Sequence, residues 1–131
     1  MTASRDILII EDDPILRSAL AEWLQAAGYG VQQAKDGGAG LAAAALSPPA
    51  LVVTDMHMPG TSGVAVITEL KQRHPRILII AISGLFDSRD GVDANAALAL
   101  GAARALAKPF KRADLLQAVA ELLGALPRRV E

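Results

Sequence analysis

The sequence predicts one α/β domain built on a five-stranded parallel sheet of order 2-1-3-4-5, doubly wound with five helices. Three observations carry this expectation. ILII at 7–10, ALVVT at 50–54 and RILIIAIS at 76–83 are nearly continuous aliphatic runs, as befits strands covered on both faces. Between and after them lie stretches with helical apolar spacing, so that β and α patterns alternate five times through short connections. The length of 131 residues suits a single domain, 1–131, that buries about two-thirds of its unfolded surface.

The first helix, PILRSALAEWLQAAG at 14–28, places Leu16, Ala19, Leu20, Trp23 and Ala27 on one face and ends at Gly28, a C-terminal stop. Trp23 is read as core packing. YGVQQAK at 29–35 is the weaker second strand, and GGAGLAAAALS at 37–47 is a helix that stops before Pro48 and Pro49. After the third strand, Pro59-Gly60 reads as a turn and Gly63 as the start of a helix, GVAVITELKQRHP at 63–75, that spaces Val64, Ile67 and Leu70 helically. VDANAALALGA at 92–102 and ADLLQAVAELLGAL at 113–126 supply the last two helices. Between them ARALA at 103–107 is alanine-rich, and propensity alone would make it helical; its place in the alternation makes it the fifth strand.

Thirteen Lys and Arg against fourteen Asp and Glu argue against a nucleic-acid-coating surface, which needs a basic excess. With no cysteine, disulfides are excluded. The opening MTASRD lacks an apolar signal region, and no apolar stretch approaches the roughly 20 residues that span a bilayer. The expectation is a cytoplasmic protein that engages neither membrane nor nucleic acid.

Five strands in one small domain favour the flavodoxin-like order, in which ligands bind beyond the carboxyl ends of the strands where the order reverses. That crevice lies between the first and third strands. The first ends at Glu11-Asp12-Asp13 and the third at Asp55, so the order brings together acids more than forty residues apart. Asp13, just before Pro14, is placed as a helix N-cap. Glu11, Asp12 and Asp55 remain as a cluster of hard oxygen donors that suits Mg²⁺. The fourth strand ends at Ser83-Gly84 and the fifth at Lys108-Pro109-Phe110, adding a hydroxyl and an ammonium to the same rim. Like charges side by side raise one another's pKa unless a cation compensates, and Lys108 together with a divalent ion would do so.

ILIIEDDP, VVTDMHMPGTSG, AIS and AKPF, in this order and at these strand ends, make the chain resemble the receiver domain of two-component response regulators, the chemotaxis-regulator-like family. The resemblance covers essentially the whole chain. It implies that Asp55 is the phosphoacceptor, that Glu11, Asp12 and Asp55 with the backbone carbonyl of His57 hold Mg²⁺, and that Ser83 and Lys108 contact the phosphoryl group. It implies a histidine kinase or histidine phosphotransfer protein as donor and a downstream protein target reached through the fourth helix, fifth strand and fifth helix. Dimerisation through the last helical face is also known in the family. The side chains of His57 and Leu85 stand where the family tunes phosphoryl lifetime.

Two departures stand out. Three residues before the lysine the family carries Tyr or Phe, and this chain has Ala105. The segment from Ser83 to Lys108 is longer than usual, with the excess in GLFDSRDGVDAN. Signalling is therefore expected to rely on Ser83 and this loop closing on the phosphoryl group, with Phe86, in place of an aromatic flip. The alternative function is a phosphorylation-independent interaction module, which Ala105 favours and the intact acids, Ser83 and Lys108 oppose. A phosphohydrolase using Asp55 on small molecules would need a substrate pocket or cap that these short loops do not offer, so no enzymatic activity on an external substrate is expected.

Overall fold

The computed structural model describes residues 6–58, 60–84 and 94–124. Its elements run β1 (Asp6–Ile10), α1 (Pro14–Ala26), β2 (Gly30–Ala34), α2 (Gly37–Leu46), β3 (Leu51–Asp55), β4 (His57–Met58), β5 (Thr61–Ser62), α3 (Gly63–Arg73), β6 (Leu78–Ser83), α4 (Ala94–Ala99), β7 (Arg104–Ala107) and α5 (Arg112–Leu123). Five strands form a parallel sheet in the order β2-β1-β3-β6-β7. Counted within that sheet, this is the expected 2-1-3-4-5. A small antiparallel hairpin, β4-β5, was not anticipated.

The side-chain period of two splits each central strand between two helical layers. Leu8 and Ile10 of β1, Val52 of β3 and Ile79 and Ala81 of β6 pack with Ala44 of α2, Val66, Ile67 and Leu70 of α3 and Ala97 of α4. Ile7, Ile9, Leu51, Val53, Ile80 and Ile82 pack on the other face with α1 and α5. All four aliphatic residues of β1 are fully buried, each contributing about 1.5–3 kcal/mol relative to exposure. Burial on both faces is why these runs carry no alternation.

Local chemistry sets the boundaries. Asp13 caps α1, accepting from the Ile15 N–H at 2.9 Å and the Leu16 N–H at 3.4 Å, with Pro14 following it. Gly28, at φ 100°, takes the left-handed conformation that lets the chain leave α1. Asp36 caps α2 through the Ala39 N–H and Ser62 caps α3 through the Ala65 N–H. The alanine-rich β7 is a strand, as its place in the alternation required. Pairing with β6 overrides helical propensity there.

Two helix faces are corrected. The fully buried stripe of α1 is Leu20, Ala21 and Leu24, its centre roughly a quarter turn from the expected one, while Leu16, Trp23 and Ala27 of the expected face pack half-buried against the same core, as read for Trp23. The helix is apolar around more than half its girth, so periodicity alone leaves the centre of the buried stripe open. In α3, Val64 is 40% exposed and Val66 takes its place in the core. The face of α3 is set by Gly63, where a Cβ would come within 2.5 Å of the Met56 Cα. Only glycine permits so close an approach, and residues 66, 67 and 70 share its side of the helix while 64 does not. The expected fourth helix, 92–102, is seen from Ala94; 92 and 93 lie outside the described residues.

Candidate functional site

Strand register assembles the rim. Ile10 lies opposite Ala34 on β2 and Thr54 on β3, so Glu11 leaves β1 beside Asp55. Asp55 is opposite Ile82, and Ser83 is opposite Ala107. The Lys108 N–H then donates to the Ser83 carbonyl at 2.8 Å, which carries the β7 alignment one residue past the strand. Glu11, Asp55, Ser83 and Lys108 thus follow one another across four adjacent strand ends.

Every polar group of Glu11 has a partner. Its N–H donates to the Ala34 carbonyl at 3.1 Å. Its carbonyl accepts from Arg17 Nη1 at 2.8 Å. Carboxylate Oε2 accepts from the Asp13 N–H at 3.1 Å, and Oε1 accepts from Lys108 Nζ at 3.1 Å. Lys108 Nζ also donates to Asp55 Oδ2 at 2.8 Å, while Asp55 Oδ1 accepts from the His57 N–H at 2.9 Å. Glu11 and Asp55 are 1% and 4% exposed, so one ammonium bridges two buried carboxyl groups.

The charges do not balance. Burial, reinforced by the nearby Asp55 charge, pushes the Glu11 carboxyl from its ordinary 4.5 up to about 7, although the Asp13 N–H and Lys108 pull it down. Lys108 moves upward from 10.5: its own burial opposes the charge, and the bonds and charges of Asp55 and Glu11 outweigh it. Carboxylate oxygens of Glu11, Asp12 and Asp55 all lie within 4.8 Å of one another. An all-oxygen donor set short of positive charge matches a hard divalent cation.

Each sequence-predicted site residue described by the structure is on this rim. Asp12 is exposed at its mouth, and Asp13 faces away as the α1 cap. Ser83 is fully buried at its strand end. His57 begins the β4-β5 hairpin with an exposed side chain. Gly60 turns that hairpin at φ 82°, and Pro59 lies outside the described residues. Ala105 sits half-buried in β7. Leu85, Phe86 and the rest of 85–93, on which the loop-closure expectation rests, lie outside the described residues.

One residue was missed. Arg17, half-buried on the first turn of α1, donates to the carbonyl of the first acid. Its signal in the sequence is slight: a cation four residues after the capping aspartate, one helical turn along.

Comparison with known proteins fits this geometry. Residues 7–120 match the family model described as the response regulator receiver domain. The chain is 36% identical over 124 residues to the transcriptional regulatory protein FixJ of Azorhizobium caulinodans, covering 95% of this chain and 57% of that protein. It is 37% identical over 116 residues to the transcriptional regulatory protein PdtaR of Mycobacterium tuberculosis, covering 88% of this chain and 55% of that protein. It therefore spans little more than half the length of these relatives. Among solved structures, the receiver domain of NtrX from Brucella abortus superposes with a TM-score of 0.82 at 30% identity, covering 92% of this chain and all of that one.

Proposed function

Since the chain belongs to the response regulator receiver domain family of two-component systems, we propose that it is a phosphoryl-accepting switch with Asp55 as acceptor and a phosphohistidine on a histidine kinase or phosphotransfer protein as donor. The observation that carries this reading is Lys108 Nζ bridging Asp55 Oδ2 and Glu11 Oε1 at 2.8 and 3.1 Å. A carboxylate nucleophile, an adjacent acid and a fixed ammonium are the parts that acyl-phosphate formation needs.

The residues fit Mg²⁺, held by Glu11, Asp12 and Asp55 with the His57 carbonyl as a further ligand. Bound there, Mg²⁺ supplies positive charge against the phosphoryl oxygens. An Asp55 oxygen attacks phosphorus, the new O–P bond forming as the N–P bond of the donor imidazole breaks. The leaving nitrogen keeps the electron pair. Lys108 neutralises charge on the transferred group, and the Ser83 hydroxyl donates to another of its oxygens. Hydrolysis of the acyl phosphate resets the switch, so the protein acts on no external substrate as an enzyme.

The signal leaves through α4, β7 and α5 to a protein target, in the cytoplasm and with no nucleic acid or membrane contact by this domain. A homodimer through the last helical face is a further form of that output. Among the described residues, no helix is long and apolar enough to cross a membrane. The Lys108–Asp55 contact at 2.8 Å, beside the Glu11 and Asp12 oxygens, favours the phosphoryl-accepting reading over a phosphorylation-independent module.

Intact mass after incubation with a small-molecule phosphodonor and Mg²⁺ tests the proposal. One phosphoryl adduct is expected in wild type, lost with chelator and absent from Asp55→Asn. An adduct that persists in Asp55→Asn would move the acceptor elsewhere.

A further inference from the structure

Arg17 has no part in the chemistry above, yet it is tied to the site's backbone. Its Nη1 donates to the Glu11 carbonyl at 2.8 Å, and its own N–H donates to the Asp13 carbonyl at 2.9 Å. The main-chain bond is the first helical bond of α1, which any residue but proline would make; the guanidinium alone reaches back from the helix to the start of the turn that carries the acids, tying Glu11 to α1. Between those two points lies Asp12, exposed and outside both the strand and the helix, so that among the described residues no element sets its direction. A guanidinium suits the task because it remains charged and offers several donors in a rigid plane.

We propose that Arg17 is a positioning residue of the metal site, fixing the β1–α1 turn so that the carboxylates of Glu11 and Asp12 converge with that of Asp55. The inference rests on the reading of this rim as a Mg²⁺ site. It makes a prediction opposite in sign to bulk electrostatics. As a nearby cation, Arg17 repels a divalent ion, so charge alone says that its removal should tighten Mg²⁺ binding. As a clamp, it pre-forms the donor set, and its removal should weaken binding, by about tenfold as for other groups that orient metal ligands.

The test is calorimetric Mg²⁺ titration of the unphosphorylated chain at constant ionic strength, for wild type, Arg17→Gln and Arg17→Lys. Amide hydrogen exchange at Asp13, whose N–H holds Glu11 Oε2, is followed alongside. Expected are a Kd about tenfold higher in Arg17→Gln, a smaller increase in Arg17→Lys, and faster Asp13 exchange in both. An unchanged or lower Kd in Arg17→Gln overturns the proposal even if the variant melts earlier, because that pattern belongs to a merely structural or merely electrostatic residue. Should Arg17→Gln fail to fold, an unchanged Kd in Arg17→Lys overturns it instead, since lysine keeps the charge on a side chain one bond too short to hold the Nη1 contact with the Glu11 carbonyl. Wild type that binds no Mg²⁺ overturns the reading of the rim and this inference together. A normal wild-type Kd with an indifferent Arg17 overturns the inference alone.

Discussion

The rim where β1 meets β3 and the edge formed by β7 and α5 share one short segment of chain, and they are built on opposite terms. At the rim, Glu11, Thr54, Asp55 and Ser83 are buried polar residues, and Lys108 reaches across 97 positions of sequence to Glu11 and 53 to Asp55. Along the edge, none of Arg104–Ala107 is fully buried; Leu106 packs half-buried against the cluster that holds Leu115, Ala118 and Val119 of α5, and the polar contact between β7 and α5 is an ion pair of Arg104 with Glu121 at 3.4 Å. Buried polar networks hold one arrangement, because any group left unpaired is costly. A half-buried edge with small side chains holds no such network. The polar network is thus fixed in place three residues from a position, Ala105, whose small side chain only packs against the core.

Replacing Lys108 separates the two regions most strongly. Lys108→Met leaves Asp55 without its ammonium and should slow adduct formation at least about 100-fold, as removal of a preorganised charge stabiliser does. Ala105→Tyr, on the edge, should leave that rate unchanged. Time courses of intact mass for both variants check the contrast, and comparable slowing in both would erase it.

The rim should also declare itself through pH. In metal-free protein the Glu11 carboxyl titrates near 7, against 4.5 ordinarily, so the folded state holds a proton that the unfolded state has released. Its contribution to stability is therefore complete below pH 4.5, falls as pH rises to about 7, and is flat above. Lys108, shifted upward from 10.5, keeps its charge throughout that window. Mg²⁺ competes with the Glu11 proton, so the stabilisation it adds should be larger at pH 8 than at pH 5. Urea midpoints at the two pH values, with and without Mg²⁺, measure this. Glu11→Gln should remove most of the slope, and a slope retained in that variant would assign it to another group.

The same contrast explains what could be read from the sequence. Glu11, Asp55, Ser83 and Lys108 were legible because each follows an apolar run, and a polar residue at the end of a buried strand has few places to go but the rim. The β7 strand was legible only from its place in the alternation, because ARALA carries no strand propensity. Val66 was hidden by Val64, since the face of α3 depends on the Gly63–Met56 approach, a tertiary contact. The β4-β5 hairpin has strands of two residues, too short for any period to register. Arg17 carries only a slight signal in the sequence, because the contact that matters is made by the path of the chain after β1, which turns its guanidinium toward Glu11.

The smallest expected effect belongs to the edge. The Arg104 and Glu121 side chains are 44% and 49% exposed, so water and salt screen their attraction and the pair is worth at most about 1 kcal/mol. Arg104 Nη1 also donates to the Ala103 carbonyl at 2.9 Å, a bond that water can replace once the side chain is cut. Arg104→Ala should therefore lower the melting temperature by only a few degrees, a difference that shrinks as salt is added. It should leave phosphoryl uptake at Asp55 untouched, because Arg104 lies at the opposite end of β7 from Lys108. A thermal melt at low and high salt is the measurement. A loss several times larger, or one indifferent to salt, would mean that the edge is held by packing as tightly as the rim is held by its polar network, and β7 could then no longer be called the looser of the two regions.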